Sequence, residues 1–139
     1  MPLLLLAALA AMQPAAVAEA GGPRCEWSDS WRRLPMPSFG PSARLVGPQL
    51  REGRVGLPRP KHRHVIEGRW VAQVAIAANG RTVDARIVER PRVSPPWPEA
   101  EKAMLKDARK LRWRPATADG IPVPVCMDLP VFSSPRRID

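Results

Sequence analysis

Apolar residues alternate with other residues along two neighbouring segments in the second half of the chain, Gly68–Ala77 and Thr82–Arg90. A period of two predicts β-strands, because successive side chains of a strand point to opposite faces. Asn79-Gly80 lies between the segments, and Asn-Gly supplies the positive φ angles of a tight hairpin turn. The apolar face of the first strand would carry Trp70, Ala72, Val74 and Ile76, and that of the second Val83, Ala85 and Ile87. The two segments are therefore predicted to form a β-hairpin.

The next segment, Glu101–Ala116, has the spacing of an amphipathic α-helix. Its narrow apolar face would consist of Ala100, Met104, Leu105, Ala108 and Leu111. Pro98 suits the first turn of a helix, and Pro115 is expected to end it. Trp97 and Trp113 are expected to cover the two ends of the core.

A third strand is predicted over Val123–Val131, after a turn at Asp119-Gly120. Its odd-numbered residues from Val123 to Val131 would share one face, and Cys126 would lie on the other. The order strand, turn, strand, helix, strand predicts an α+β fold, with an antiparallel three-stranded sheet and one main helix packed on one face. Such a sheet is too small to close on itself, so a strand edge remains available to other chains.

Proline marks the last strand as that edge. Pro122 and Pro124 begin it and Pro130 interrupts its end, and proline in sheets belongs on edge strands. Two interpretations stay open from composition alone. The prolines only prevent aggregation, or the edge offers Val125–Leu129 to an incoming extended peptide.

Residues 1–20 have the composition of a signal peptide, with an apolar run over Leu3–Val17 and small residues at Ala18–Ala20 before the expected cleavage site. No positively charged side chain precedes the run, so an uncleaved membrane anchor is the alternative. The run is shorter than the ~20 apolar residues that a spanning helix needs, and Gln13-Pro14 interrupts it. Cleavage and export are therefore predicted.

The chain is strongly basic, with 22 lysines and arginines against 13 acidic residues and a formal net charge of +9. Export argues against nucleic acid as the partner. Anionic lipid head groups and polyanionic envelope polymers are the electrostatic neighbours that we expect, and a solvated basic surface without a ligand is the alternative.

Two cysteines, Cys25 and Cys126, remain in the mature chain, and an even count in an exported protein predicts a disulfide between them. Residues 21–60 hold seven prolines and scattered arginines, so long regular elements are not expected there. We predict packing of Cys25–Trp31 against the domain and a loose tether over Leu34–Pro60.

No catalytic or metal-binding arrangement emerges from the residues. The serines have no histidine partner at a recognisable spacing, and Asp84 is interpreted as a solvated residue. His62 and His64, with the two cysteines, would offer zinc-ligand types, but the spacing fits no zinc pattern and a disulfide would consume both sulfurs. We predict a protein that is not an enzyme and has no cofactor or metal.

Three parts of the sequence resemble the C-terminal domain of TonB-family proteins: the hairpin over Gly68–Arg90, the helix from Glu101–Leu105 through Leu111–Ala116, and Asp119–Val125. The family shows an Asp/Asn-Gly turn, a helix ending in a W-R-F-x-P-A type sequence, and D-G-x-P-V-x-V before the final strand. Here Leu111 and Trp113 stand at the two aromatic positions. The resemblance covers roughly residues 65–132.

The resemblance implies a periplasmic domain that grips an extended segment of an outer-membrane receptor by strand addition. The organisation expected is a signal peptide (1–20), a Pro/Arg-rich arm or linker (21–60), a TonB C-terminal-like domain (61–134) and a tail (135–139). The site predicted on the edge is Val123, Val125, Cys126, Met127, Asp128 and Leu129, with Arg114 contributing charge. Partners would be the receptor segment or another envelope protein, and self-pairing through the same edge would give a homodimer.

Two departures from the family shape the functional hypothesis. Energy-transducing members carry a membrane anchor with a functional histidine and a long proline-rich spacer, whereas this apolar run has no histidine. Members also commonly have a Tyr-Pro segment before the first strand, and this chain has no tyrosine. We therefore expect a soluble periplasmic binding domain that is accessory to TonB-dependent transport. The alternatives are a short energy transducer anchored in the inner membrane by residues 1–20, and a secreted structural domain without a peptide ligand.

Overall fold

A computed structural model describes residues 24–131 of the protein. The predicted signal peptide and the predicted tail lie outside these residues. Among the residues described, no helix is long and apolar enough to cross a membrane.

The predicted α+β class is confirmed, with two helices and ten strands between residues 24 and 131. The helices are α1 (Asp29–Arg32) and α2 (Pro98–Lys110). The strands are β1 (Leu45–Val46), β2 (Gln49–Glu52), β3 (Val65–Glu67), β4 (Trp70–Ile76), β5 (Thr82–Glu89), β6 (Arg92–Ser94), β7 (Arg112–Arg114), β8 (Ala116–Ala118), β9 (Ile121–Val123) and β10 (Val125–Val131).

The main sheet has three antiparallel strands in the order β10-β4-β5, formed by the three segments that the alternation predicts to be strands. Every residue of β4 is buried, because β4 has a strand on each side and a packed layer on each face. Helix α2 packs on one face of the sheet. Trp97 lies in the cluster at one end of this layer and Trp113 in the cluster at the other end, as predicted.

The prediction of a single three-stranded sheet with one main helix was wrong in the number of sheets. Three smaller antiparallel sheets surround the main one: β1-β8-β9, β2-β7 and β3-β6. Two of their strands, β1 and β2, come from the segment predicted to be a loose tether. They pair with β8 and β7, whose residues lie 60 to 73 positions further along the chain, and so tie the arm to the domain.

The helix is shorter than its periodicity predicts. Leu111 has φ −61° and ψ 138°, so the chain is already extended four residues before Pro115. Arg112–Arg114 then forms β7 against β2. Leu111 keeps the helical spacing of Ala108 and is fully buried, which is why a pattern of burial alone places it in the helix.

The hairpin turn also differs from the predicted pair of positive φ angles. Gly80 has φ +86°, whereas Asn79 does not have a positive φ. The amide of Gly80 donates to the Ala77 carbonyl at 2.9 Å, and Asn79 Oδ1 accepts from the Arg81 amide at 3.0 Å. A Cβ on Gly80 would lie 2.0 Å from the Trp113 carbonyl oxygen, so glycine is required where the turn meets β7.

Candidate functional site

The predicted binding edge lies on β10, which pairs with β4 along its whole length. Within residues 24–131, no strand pairs with the opposite side of β10. The odd-numbered residues Val125, Met127 and Leu129 pack toward the helix layer, and Cys126 packs on the other face, as predicted. In the described part of the chain, backbone groups on one side of β10 therefore lack a strand partner.

Val123 does not belong to this strand. It ends β9, which pairs with β8 in a different sheet, and Pro124 separates it from β10. The prediction of a single strand from Val123 to Val131 was therefore wrong. Pro124 breaks the hydrogen-bond ladder between the two sheets, although the alternation of side chains in the sequence continues through it.

A cleft of about 860 Å³ runs beside the first half of β10 and is named here the edge cleft. One wall is formed by residues 123–127, and Ala116 and Thr117 of β8 contribute beside it. The other wall comes from the N-terminal arm and β1, and includes Trp31, Leu34, Met36, Phe39, Leu45 and Val46. The volume lies within the range of about 300–1,000 Å³ that is typical of ligand sites.

The arm wall of the edge cleft exposes large apolar side chains to solvent. Met36 is 53% exposed, Phe39 47%, Leu45 40% and Val46 48%. Exposed apolar residues that adjoin one another are typical of interaction sites, whereas single exposed apolar residues are normal on any protein surface. Charged residues at the rim are paired, with Arg24 to Glu26 at 3.5 Å and Arg32 to Asp29.

The predicted disulfide between Cys25 and Cys126 is confirmed, with a Cα–Cα distance of 5.5 Å and a sequence separation of 101. Both cysteines are buried, in a cluster with Trp31 and Ala75. The bond joins the arm to β10 directly. It therefore connects the two walls of the edge cleft.

Hydrogen bonds join the arm to the same face of the sheet. Trp27 Nε1 donates to Gln73 Oε1 at 2.7 Å, and Gln73 Nε2 donates to Asp128 Oδ1 at 3.0 Å. Arg86 Nε donates to the same Gln73 oxygen at 3.1 Å, and its guanidinium lies 4.7 Å from the centroid of the Trp27 ring. The Asp128 carboxylate is thus directed into the arm interface.

Ser28 connects the arm to β5. Its hydroxyl donates to Asp84 Oδ2 at 2.6 Å and accepts from the Trp31 amide at 3.2 Å, which caps α1. The interpretation of Asp84 as a solvated residue was therefore wrong. Its carboxylate holds a buried serine in place.

The site residues predicted from sequence fall into three groups. Val123, Val125, Cys126 and Met127 line the edge cleft. Asp128 and Leu129 continue along β10 beyond it. Arg114 lies on β7, opposite Gln49 of β2, and does not line the cleft.

The arm wall is the part of the site that sequence reasoning missed. Leu34, Met36 and Phe39 alternate with prolines and small residues, which reads as linker composition. The sequence feature that could have indicated this wall is the large apolar side chains at these positions, because a solvated tether does not need them.

One of the two histidines, His64, makes contacts with neighbouring residues. His64 Nδ1 lies 2.7 Å from the Pro95 carbonyl oxygen, and the His64 ring stacks on Trp97 with 4.7 Å between centroids. In the part of the chain that the structure describes, no group of three or more histidine, cysteine, aspartate or glutamate side chains is arranged to hold a metal ion.

Comparison of the chain with protein-family models, with curated proteins and with solved structures found no match in any of the three.

Proposed function

We propose that the protein is a periplasmic TonB-like domain that binds an extended peptide by strand addition to β10. The peptide would be a segment of an outer-membrane receptor or of another envelope protein, and the protein would be accessory to TonB-dependent transport. The observation that carries the proposal is the side of β10 that no strand among residues 24–131 covers, next to an apolar cleft. In strand addition, backbone hydrogen bonds supply affinity and pockets for alternate side chains supply selectivity.

Pro130 fixes which backbone groups of β10 are offered. It stands opposite Val71 of β4 and has no N–H. Proline is accommodated in a paired strand where its nitrogen faces away from the neighbour. Residues two apart in a strand direct their backbone groups to the same side, so the N–H and C=O groups of Cys126 and Asp128 are expected on the open side.

The edge cleft would supply selectivity. A strand added beside Val125–Met127 directs alternate side chains toward the two faces of the sheet. Side chains on the arm face would meet Met36 and Phe39, which are apolar and solvent-exposed. The preferred peptide would therefore carry apolar residues at alternate positions.

Peptides with methylated backbone nitrogens test strand addition directly. The ligands are peptides copied from the N-terminal segments of TonB-dependent receptors. One form carries methyl groups on the backbone nitrogens of its odd-numbered residues, and the other form on those of its even-numbered residues. Only one of these two sets of nitrogens faces β10, so one form should lose affinity by about 10- to 100-fold, since each lost bond contributes about 0.5–1.5 kcal/mol. The other form should bind like the unmodified peptide, measured by calorimetric titration.

Equal affinities for the two methylated forms would contradict strand addition. Absence of binding by any receptor peptide would leave the structural-domain alternative, and concentration-dependent self-association would support the homodimer. The alternative of a membrane-anchored transducer requires the protein in the membrane fraction, so recovery in the soluble periplasm alone would exclude it.

The cleft is tested with a matched pair of variants. Phe39→Ala removes an exposed aromatic ring from the arm wall, and Leu50→Ala removes an equally exposed apolar side chain from β2, outside the cleft. Phe39→Ala should weaken peptide binding several-fold, whereas Leu50→Ala should leave it unchanged.

A further inference from the structure

Three arginines meet where the tip of the β4–β5 hairpin contacts β7. Arg81 stands directly opposite Arg112 in an isolated antiparallel bridge, and the Trp113 amide donates to the Gly80 carbonyl at 2.9 Å. Arg114 lies two residues after Arg112 and therefore on the same face of β7. These residues, Arg81, Arg112 and Arg114, are named here the arginine cluster.

The arginine cluster has no acidic partner within residues 24–131. The ion pairs found there join other arginines to carboxylates: Arg24, Arg32, Arg69 and Arg90. Arg81 and Arg114 are exposed. Arg112 is half-buried and donates through Nη1 only to the adjacent Leu111 carbonyl at 3.3 Å. Glu52 faces Arg112 from β2 without forming an ion pair.

Like charges opposite each other destabilise a pair of strands. Arg81 and Arg112 adopt this arrangement at a contact fixed by Gly80, whose Cβ-free backbone lets the turn approach β7. Other exposed cations lie near Arg112 in the chain, at Arg109 and Lys110 in the last turn of α2. The three arginines of the cluster thus place their positive charge on one face of the contact between the hairpin tip and β7.

We infer that the arginine cluster is a binding surface for the phosphate groups of anionic lipids. Guanidinium groups bind phosphate through paired N–H donors, which fits a site built from arginine at all three strand positions. Arg81 and Arg114 are exposed and come from two separate chain segments, which suits phosphates of an open surface better than a single enclosed ion. The protein would touch the membrane surface through the arginine cluster without entering the bilayer, and this contact does not depend on peptide binding at β10.

Vesicle co-sedimentation of the full-length protein tests the inference. The protein should bind vesicles of phosphatidylcholine mixed with phosphatidylglycerol, bind phosphatidylcholine alone much less, and be released by salt. The triple variant Arg81→Gln/Arg112→Gln/Arg114→Gln should partition on the order of 100-fold less, because each cation near an anionic surface contributes roughly fivefold.

The matched control, Arg59→Gln/Lys61→Gln/Arg63→Gln, removes the same charge from another exposed segment. It should lower partitioning by only a few-fold. An equal loss in both triple variants would overturn the inference, since net charge alone would then explain binding.

Two further measurements keep the result interpretable. The double variant Arg81→Gln/Arg114→Gln alters only exposed side chains without hydrogen bonds among the described residues, so it should fold like the wild type and still lose most of the binding. Inorganic phosphate should not displace the protein from vesicles at matched ionic strength. Displacement by phosphate would reassign the cluster to a free anion and contradict the lipid surface.

Discussion

The two faces of the central strand β4 are held by different forces. Toward α2, the face presents Trp70, Ala72, Val74 and Ile76 to an apolar layer that includes Met104 and Leu111. Toward the arm, Gln73 bonds to Trp27 and to Asp128, and Ala75 packs beside the disulfide. The helix face depends on burial, which is non-directional, whereas the arm face depends on a covalent bond and on oriented hydrogen bonds.

This difference separates the packing of the core from the shape of the site. The helix face and the hairpin form the core, and the arm face builds one wall of the edge cleft. Changes on the helix face should therefore unfold the protein as a unit. Changes on the arm face should also loosen the cleft, and should do so while the core remains folded.

Removal of the disulfide should have the largest effect on this comparison. Cys25→Ala/Cys126→Ala should lower the free energy of unfolding by about 4–5 kcal/mol, because the bond closes a loop of roughly 100 residues in the unfolded chain. Urea denaturation measures the loss, and a reductant should bring the wild type to the same stability. A loss below ~1 kcal/mol would show that the arm is held without the bond.

Truncation of the helix face should have the next largest effect. Met104 is fully buried between α2 and the sheet, so Met104→Ala should cost about 3 kcal/mol by leaving a cavity. Met36→Ala, at a site 53% exposed, is the control and should change stability little. Loss of far-UV and near-UV circular dichroism should coincide on heating Met104→Ala, and separate transitions would contradict a single core.

Loss of the Ser28 hydroxyl should act on the arm alone. Ser28→Ala removes the cap of α1 and the bond to Asp84, at a cost of about 1–2 kcal/mol. Amide hydrogen exchange should accelerate in residues 25–34 and stay unchanged in α2. Equal acceleration in both segments would show that the two faces are not separable.

The smallest effect is expected at the edge of the arm interface. Arg86→Gln removes a cation over the Trp27 ring and one hydrogen bond to Gln73, and should cost about 0.5–1 kcal/mol. Arg92→Gln, another exposed arginine on a strand, is the control. The NMR resonance of the Trp27 indole N–H, one of five such resonances, should shift in the first variant and not in the second.

The sequence predicts elements where a period is long and the pairing is local. The hairpin, the start of α2 and the alternation along Val125–Val131 follow from runs of seven or more residues. The disulfide follows from the even number of cysteines in a chain that is expected to be exported. Cys126 lies on the sheet face away from the helix, where the arm packs. Apart from the disulfide, which joins residues 101 apart, each of these features is specified by residues close to it in the chain.

The remaining features depend on distant pairing that no short run of residues specifies. Strands β1 and β2 have two and four residues, and their partners are Thr117–Ala118 and Arg112–Arg114. Such strands are too short to show a period. The same holds for the arm wall of the edge cleft, because Leu45 and Val46 take their place there by pairing with β8.

Strand addition at β10 is tested by an NMR titration of the oxidised protein with receptor-derived extended peptides. The proposed function predicts saturable amide shifts concentrated in Val125–Leu129, with smaller shifts in the arm wall near Met36 and Phe39. Saturable shifts confined to residues outside β10 and the edge cleft, or no shifts at millimolar peptide, would contradict it.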